Sequence, residues 1–430
     1  MTSTPSSQVW RPGDKIKPTP VTSNIPIFRQ DILEVAERKI EDMSEELRKL
    51  SLDIHDHPEL AFEEKYAHDV LSEFMSKQGF VVQKQYLLST AWIATFRHGD
   101  ESEGGRVVGV NSEMDALPGI GHACGHNLIA ISGVAVACAI KTVLEQFDLS
   151  GEVQLLGTPA EESGEGKIIL LNKGAYKDMD VCLMCHPAPG PKGSVSLSRS
   201  LAVKEFDAEY FGHTAHAGEA PFEGINALDG AVLSYSNVNA LRQQLKPNIR
   251  VHGILHGKDW APNIIPDYAR YAIAVRAPTL AEQEAATERV LPCLQAGALA
   301  SGCEHKITKR EHLYDLRQNK ALGEELANVV QSRYGSVDYV WGIANASTDF
   351  GNISYEIPSL HPGFAIPTTT GGGNHTPEFT KAAATQEAHQ ACLDISKALA
   401  ATGIRVLIDD EFYAKVKQTF EEDKVSGGGH

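Results

Sequence analysis

The stretch Asn111-Ser-Glu-Met-Asp-Ala-Leu-Pro-Gly-Ile-Gly-His-Ala-Cys-Gly-His-Asn127 decides how the chain is read. An apolar strand-like run, Val107 to Val110, leads into it, and a long apolar run of helical character, Leu128 to Leu144, leads out. Strand, loop and helix in that order form the repeating unit of an open α/β sheet, which collects its sites at the carboxyl ends of strands. Glu113, Asp115, His122, Cys124 and His126 lie between, each able to ligate a metal or support a ligand. Asn127 stands where it can cap the helix. Gly125 permits a sharp turn between the Cys124 thiol and the His126 imidazole. An isolated Cys-x-His is ordinarily a buried cysteine beside a capping loop. The crowding of polar groups at one strand–helix junction argues for a metal site.

At 430 residues the chain is long enough for two domains. A net charge of −17 argues against general binding to nucleic acid or an anionic membrane, whose phosphates it would repel. No apolar run reads as long enough to span a bilayer. The N-terminus has no charged-then-apolar export pattern, and the seven cysteines are irregularly spaced. The expectation is therefore a cytoplasmic protein with free thiols.

Working outward, residues 1–27 hold five prolines among serines and threonines and read as a flexible arm. Apolar residues at helical spacing follow from Ile32 to Leu60. His55-Asp56-His57 sits there, away from any strand end, and reads as a structural turn. Downstream of the central helix, the strand Glu152–Gly157 runs into Thr158-Pro-Ala-Glu161-Glu162-Ser-Gly164. Adjacent glutamates at a strand end can divide two roles, one ligating metal and the other facing a bound water; an acidic surface turn is the plain alternative. The next strand, Asp180–Cys185, ends at His186. Cys182-Leu-Met-Cys185-His186 matches a c-type haem attachment pattern, but an apolar strand without an export signal is a poor host for it. A second cysteine pair that would complete a zinc site is missing.

From 198 to 309 the texture becomes strand, helix, strand, strand, helix, strand, the split ferredoxin-like α+β pattern, and reads as an inserted domain. It carries His213 and His216, then Asn263, then Arg276, each commonplace alone. The return passes a helix over Asn319–Tyr334, the run Ser347-Thr-Asp349-Phe-Gly-Asn352, and Gly371-Gly-Gly373 before Asn374-His375-Thr376. The glycines lack the lysine of a phosphate loop and read as slack that lets His375 swing. Two pieces, 28–197 and 310–420, thus make an α/β domain with a central mixed sheet flanked by helices, and 421–430 reads as a flexible tail.

Together these stretches resemble the co-catalytic zinc aminoacylase, dipeptidase and carboxypeptidase family. The likeness covers most of the chain, from about His55 to Thr380. Met114-Asp-Ala-Leu-Pro118, His122-Ala-Cys-Gly-His126 and Pro159-Ala-Glu-Glu162 are similar to its amidohydrolase branch, which includes auxin-conjugate hydrolases. Gly119-Ile-Gly121, the Ser347–Asn352 run and Asn374-His-Thr376 resemble the p-aminobenzoyl-glutamate hydrolase and β-alanyl-lysine dipeptidase subgroup. The resemblance implies a metal-dependent amidohydrolase acting on an N-acyl amino acid or unusual dipeptide, with two divalent ions, zinc first and manganese or cobalt as substitutes. Cys124 would bridge the ions; Glu162 and His375 would complete one, His126 and His186 the other. Glu161 would be the general base. His216, Asn263 and Arg276 match the inserted domain's substrate-binding residues, with His216 reaching the site of a partner in a homodimer formed through that domain. Asp115 and Asn127 would support the ligands. Asn127 replaces the family's usual aspartate, and Glu113 replaces an aspartate more common in the branch. Two other readings stand beside hydrolysis: amide formation at the same site, separable by product analysis, and a non-catalytic protein retaining the fold, separable by a metal assay.

Overall fold

The described residues, 25–99 and 105–426 of a computed structural model, divide into two compact units. The first takes the chain up to Arg199 and again from Leu316, and the second is the segment Ser200–Asp315. The second unit ends at 315 rather than 309 because its last strand runs on to Leu313. Apart from 25–27, the expected arm lies outside the described residues.

In the first unit, α1 (Gln30–Asp42), α2 (Ser44–Asp56) and α3 (Lys65–Lys77) precede β1 (Val81–Lys84), β2 (Trp92–His98) and β3 (Val107–Glu113). Next come α4 (His126–Phe147), β4 (Gly151–Thr158), α5 (Gly166–Asn172), β5 (Val181–Leu183), β6 (His186–Pro189) and β7 (Ser194–Ser196). The second unit is β8 (Ala202–Phe211), α6 (Ala227–Arg242), β9 (Arg250–Gly257), β10 (Tyr268–Ala277), α7 (Leu280–Ser301) and β11 (Glu304–Leu313). The first unit resumes with α8 (Lys320–Arg333), β12 (Ser336–Asp338), α9 (Phe350–Glu356), β13 (Ser359–Leu360) and β14 (Gly363–Ile366). It closes with α10 (Pro377–Ala383), α11 (Gln386–Ile408) and α12 (Asp410–Ser426).

The main sheet of the first unit has six strands in the order β1-β2-β4-β3-β5-β13. β1, β2 and β4 are antiparallel neighbours, whereas β4, β3, β5 and β13 run parallel. Every residue of β3 is buried, as befits a parallel strand covered on both faces. α4 lies hard against it: a Cβ at Gly133 would stand 2.2 Å from Ser112 Oγ, so glycine sets the approach. A smaller four-stranded sheet, β12-β7-β14-β6, belongs to the same unit.

Three expectations change here. α4, at 22 residues, is long and apolar enough to cross a bilayer by length and composition, contrary to the sequence reading. It is instead the central core helix, with α1, α2 and α11 packed on it. Asn127 does not cap it. The cap is Gly125, at φ 82°, and Asn127 lies inside the first turn, donating its amide to Ser51 Oγ at 3.0 Å and the Ala383 carbonyl at 3.2 Å. Residues 421–426 are helix rather than tail, because Phe412 and Val416 seat α12 in the core and the helix continues to Ser426.

The second unit's sheet has the order β11-β8-β10-β9, antiparallel throughout. α6 and α7 pack on each other and on β8 and β10 around Tyr210, Tyr271, Val290 and Leu294. Asn226 and Thr279 cap the two helices with side-chain oxygens, fixing where each begins.

Candidate metal centre

Parallel pairing of β3 with β4 sets Glu113 opposite Thr158, so the loops after both strands leave the same edge. The first loop carries Asp115 and Cys124, the second Glu161 and Glu162, and His186 follows β5 on the same side. Gly125 turns the chain back into α4 where a Cβ would come within 2.5 Å of Pro187 Cγ. His375 is not slack: its N–H donates to the Ala123 carbonyl at 2.8 Å, and Asn374 Nδ2 donates to the Pro187 carbonyl at 3.1 Å. Ala160 (φ 59°) and His375 (φ 66°) both hold left-handed backbones, a strain of order 1 kcal/mol each for residues with a Cβ. The buried Glu64 carboxylate accepts the Ala160 N–H at 2.8 Å and holds that strained turn in place.

Four groups of three ligand atoms result among the described residues: two share Cys124, and the others are His126 with Glu161 and Glu162, and Glu113 with Glu161 and Asp349. Cys124, His126 and His186 bring ligand atoms within 4.8 Å of one another, and so do Cys124, Glu162 and His375. Cys124 Sγ lies 3.3 Å from His186 Nε2, and Glu162 Oε2 lies 3.3 Å from His375 Nε2. Between the triads, His126 Nε2 stands 3.8 Å from Glu162 Oε1 and 3.9 Å from Glu161 Oε2. The ring orientations come from the opposite nitrogens. His186 Nδ1 donates to the Pro187 carbonyl at 2.8 Å, which leaves Nε2 as the lone pair facing Cys124. His126 Nδ1 lies 3.2 Å from Asp115 Oδ1, while Asp115 Oδ2 accepts the Glu162 N–H at 2.9 Å. One aspartate thus aims a ligand from each strand end, as carboxylates behind metal-binding histidines do.

His126 Nε2 and Glu162 Oε1 are buried and without a hydrogen-bond partner among the described residues. Buried polar atoms seldom stay unpaired, and these two face each other across the cluster. A thiol, imidazoles and a carboxylate are the donor set of a zinc-type divalent ion, so the residues present fit two such ions. The neighbouring glutamates differ electrostatically. Burial pushes Glu161 well above the usual carboxylate range, with Glu113 and Glu162 adding to it. Burial opposes charge on Glu162 too, but its contacts with His375 and His126 hold it below that range. Burial, then Glu162, pushes the Cys124 thiol up, so cations are what would draw off its proton.

Behind this cluster lies a group that sequence reasoning missed. Lys167 is fully buried, with Nζ 2.7 Å from Glu113 Oε1 and 2.6 Å from Asp349 Oδ1. Burial opposes its charge, but Asp349 and Glu113 lift Lys167 well above its ordinary value. Burial likewise opposes ionisation of Glu113, which Lys167 and His126 nonetheless hold at about 2. The available signal was a single lysine inside the otherwise apolar run Ile168–Leu171 and Gly166. Glu64, within Glu63-Glu64-Lys65, gave no signal, since such runs are usually solvated.

The second unit holds the remaining candidates. His216 is exposed, and its Nδ1 accepts the N–H groups of Gly218 at 3.2 Å and Glu219 at 3.1 Å, leaving Nε2–H as a free-facing donor. Asn263 is its neighbour, through the Ala217 N–H to Asn263 carbonyl bond at 3.0 Å and the bridge between His216 and Ile264. Arg276 is not brought to them. It donates to His252 Nε2 at 3.3 Å near the far end of β10, and the run from Tyr268 to Arg276 spans about 25 Å at strand rise. His55, read as structural, ends α2 with Nε2 3.0 Å from the Thr380 carbonyl. Cys182 and Cys185 are buried, with the Cys185 thiol pushed up to about 12 by burial, far from haem-attachment chemistry.

Residues 109–398 match the profile of Peptidase family M20/M25/M40. The chain is 38% identical over 398 residues to the human Xaa-Arg dipeptidase, covering 89% of this chain and 90% of that one. It is 25% identical over 475 residues to a p-aminobenzoyl-glutamate hydrolase chain of Escherichia coli, covering 92% and 94%. In fold it is similar to a Bacillus subtilis protein described as a dinuclear metal binding peptidase, with a TM-score of 0.67, 20% identity, and coverage of 85% and 99%.

Proposed function

The chain belongs to Peptidase family M20/M25/M40 and is a metal-dependent amidohydrolase; from that premise we propose that it cleaves dipeptides, with a carboxy-terminal basic residue as the first class to try. The observation that carries the proposal is the pair of ligand triads meeting at Cys124, with Glu161 beside them. Support for dipeptides comes from the name and high coverage of the human relative. N-acyl amino acids such as p-aminobenzoyl-glutamate are the second class, on the same footing from the bacterial relative.

Cys124, His126 and His186 would hold one ion, and Cys124, Glu162 and His375 the other; zinc is proposed because a thiolate with imidazoles suits it. Such ions, when bound, polarise the scissile carbonyl and acidify an attacking water. Glu161 accepts the proton from that water and passes it to the amine nitrogen as the C–N bond breaks, leaving a carboxylate and an amine. Its raised proton affinity suits the second half of that transfer. His216 Nε2–H and the Asn263 amide donate to the oxygen that gains charge, and Arg276 holds the substrate carboxylate in its planar fork.

One second unit cannot present all three groups to one small substrate, because Arg276 stands at the opposite end of β10 from His216 and Asn263. The proposal therefore includes a homodimer in which His216 and Asn263 serve the partner's site. β9, an edge of the second unit's sheet with Ile254 exposed, offers a surface for self-pairing. A reducing, cytoplasmic setting is part of the same proposal, supported by seven free thiols.

The test is zinc- or manganese-loaded protein incubated with dipeptides ending in Arg or Lys, N-acyl amino acids, and free acid plus amine, with products read by mass spectrometry. Release of both halves of a dipeptide supports the reading. Amide synthesis without hydrolysis would replace it with the biosynthetic direction, and inertness of the metal-loaded protein on every class would overturn it.

A further inference from the structure

The roles proposed above use neither the run Ser347–Asn352 nor the buried lysine that it meets. We infer that Lys167 and Asp349 are positioning residues for the general base: they latch the loop 160–166 and keep the Glu161 carboxylate turned to the metal centre. The inference rests on the reading of Glu161 as that base and deepens it.

The first support is how the loop is held. Its neck is closed by the Gly166 N–H, which donates to the Ala160 carbonyl at 3.2 Å. A Cβ on Gly166 would stand 1.8 Å from the Pro159 carbonyl oxygen, so only glycine passes there. On the entry side the Ala160 N–H donates to Glu64 at 2.8 Å, and the Glu162 N–H donates to Asp115 at 2.9 Å. On the exit side Lys167 alone grips Asp349 twice, through its N–H to Oδ2 at 2.8 Å and through Nζ to Oδ1 at 2.6 Å. Asp349 stands directly before α9, whose Phe350 and Ile353 are core residues, so the latch ties the loop to a seated helix. Nζ also reaches Glu113 Oε1 at 2.7 Å, which anchors the same lysine to the end of β3.

Charge is the second support. One oxygen each of Glu113, Glu161 and Asp349 lie within 4.8 Å of one another. Carboxylates that close repel, and the repulsion is strong away from water. Glu113 and Asp349 are fully buried, whereas Glu161 keeps 10% of its side chain exposed and is the member with room to turn away. The Lys167 ammonium, fixed on two of the three, offsets that repulsion. Among the described residues Glu161 has one ion-pair contact, His126 Nε2 at 3.9 Å, and that nitrogen is assigned above to a metal. Without the ammonium, Glu161 swings towards solvent. A base displaced by about 1 Å costs rate rather than affinity, on the order of 100-fold. The plain alternative is a triad that only stabilises the fold; its loss would lower the unfolding midpoint and leave kcat of the folded protein unchanged.

The experiment compares zinc-loaded wild type with Lys167→Met/Asp349→Asn and with Asp349→Asn alone. The double variant keeps the triad's single net negative charge, on Glu113, and the single variant keeps the Lys167–Glu113 pair. Measured are kcat and KM with alanyl-arginine or the substrate that the screen above returns, metal content by elemental analysis, and backbone hydrogen exchange by mass spectrometry. For the double variant we expect two ions, KM within about twofold, kcat lower by about 100-fold, and faster exchange confined to residues 159–167. For Asp349→Asn we expect kcat lower by about tenfold with KM unchanged, which decides the matter if the double variant fails to fold. A folded, two-ion double variant with kcat within about threefold of wild type overturns the inference, as does Asp349→Asn with kcat within about twofold. Loss of an ion from either folded variant also overturns it, by assigning the triad to metal retention. Each of these leaves the hydrolytic reading standing. A wild type that holds two ions and cleaves no substrate class removes that reading, and this inference falls with it.

Discussion

The two units carry their candidate site residues in opposite ways. Around the candidate centre of the first, Cys124, His126, Glu113 and Asp115 are buried, Ala160 and His375 are held left-handed, and His126 Nε2 and Glu162 Oε1 have no hydrogen-bond partner among the described residues. In the second, His216 and Asn263 are exposed on a loop pair, and Arg276 sits at the other end of a regular sheet. Buried unpaired groups and strained backbones gathered in one place are a signature of a site that a bound species completes. Exposed groups cost nothing to keep and act only when something is brought to them. The first unit therefore reads as a metal centre, and the second, on the proposal above, would supply substrate contacts to a partner's site.

The contrast can be broken at several points, and the largest effect is expected in the first unit. Glu161→Gln should lower kcat by about 10³–10⁴ while leaving bound metal unchanged, since the amide keeps the shape but accepts no proton. Steady-state kinetics with elemental analysis reads both; a kcat near wild type would remove Glu161 from the chemistry.

In the second unit, His216→Ala should lower kcat by about 10²–10³, the effect of losing one donor to the developing charge. Mixing inactive His216→Ala chains with inactive Glu161→Gln chains should restore roughly a quarter of wild-type activity. Half of the dimers are then heterodimers, and one site in each is whole. No recovery after confirmed exchange of protomers would confine His216 to its own chain.

Arg276→Lys should raise KM by about tenfold for a substrate with a free carboxylate, with kcat little changed, because a point charge replaces a fork. Equal KM for the acid and its methyl ester in wild type would dismiss the clamp.

The smallest effect concerns Glu64, which joins the N-cap of α3 to the strained Ala160 turn. Burial raises its carboxyl from 4.5 to about 6. The folded state thus holds this proton more tightly than the unfolded chain. Its contribution is fully present below 4.5 and is lost as pH rises through 6, about 2 kcal/mol in all. Glu64→Gln should flatten that part of the stability–pH curve in denaturant titrations, and an unchanged slope would assign it elsewhere.

What was legible in the sequence follows from what kind of force placed each residue. The strand–loop–helix at Val107–Leu144 and the split pattern of the second unit are local periodicities, and both stand in the structure. The five candidate ligands are motif residues at strand ends, and the fold gathers them. Lys167 and Glu64 act through tertiary burial, which one solvated-looking residue cannot announce. Asn127 was assigned a cap by its residue type, yet glycine at 125 took the left-handed position and sent the asparagine inward. α12 outran its apparent end because core contacts at Phe412 and Val416, rather than composition, carry it to Ser426.

The central claim is that one thiol is shared between two ions. Metal content of chelator-stripped and zinc-reloaded wild type and Cys124→Ser, read by elemental analysis beside circular dichroism to confirm folding, tests it most directly. The account predicts two ions per wild-type chain and fewer than one per folded Cys124→Ser chain, because a serine hydroxyl is a far poorer anionic ligand at neutral pH. Two ions in the folded Cys124→Ser variant would contradict it.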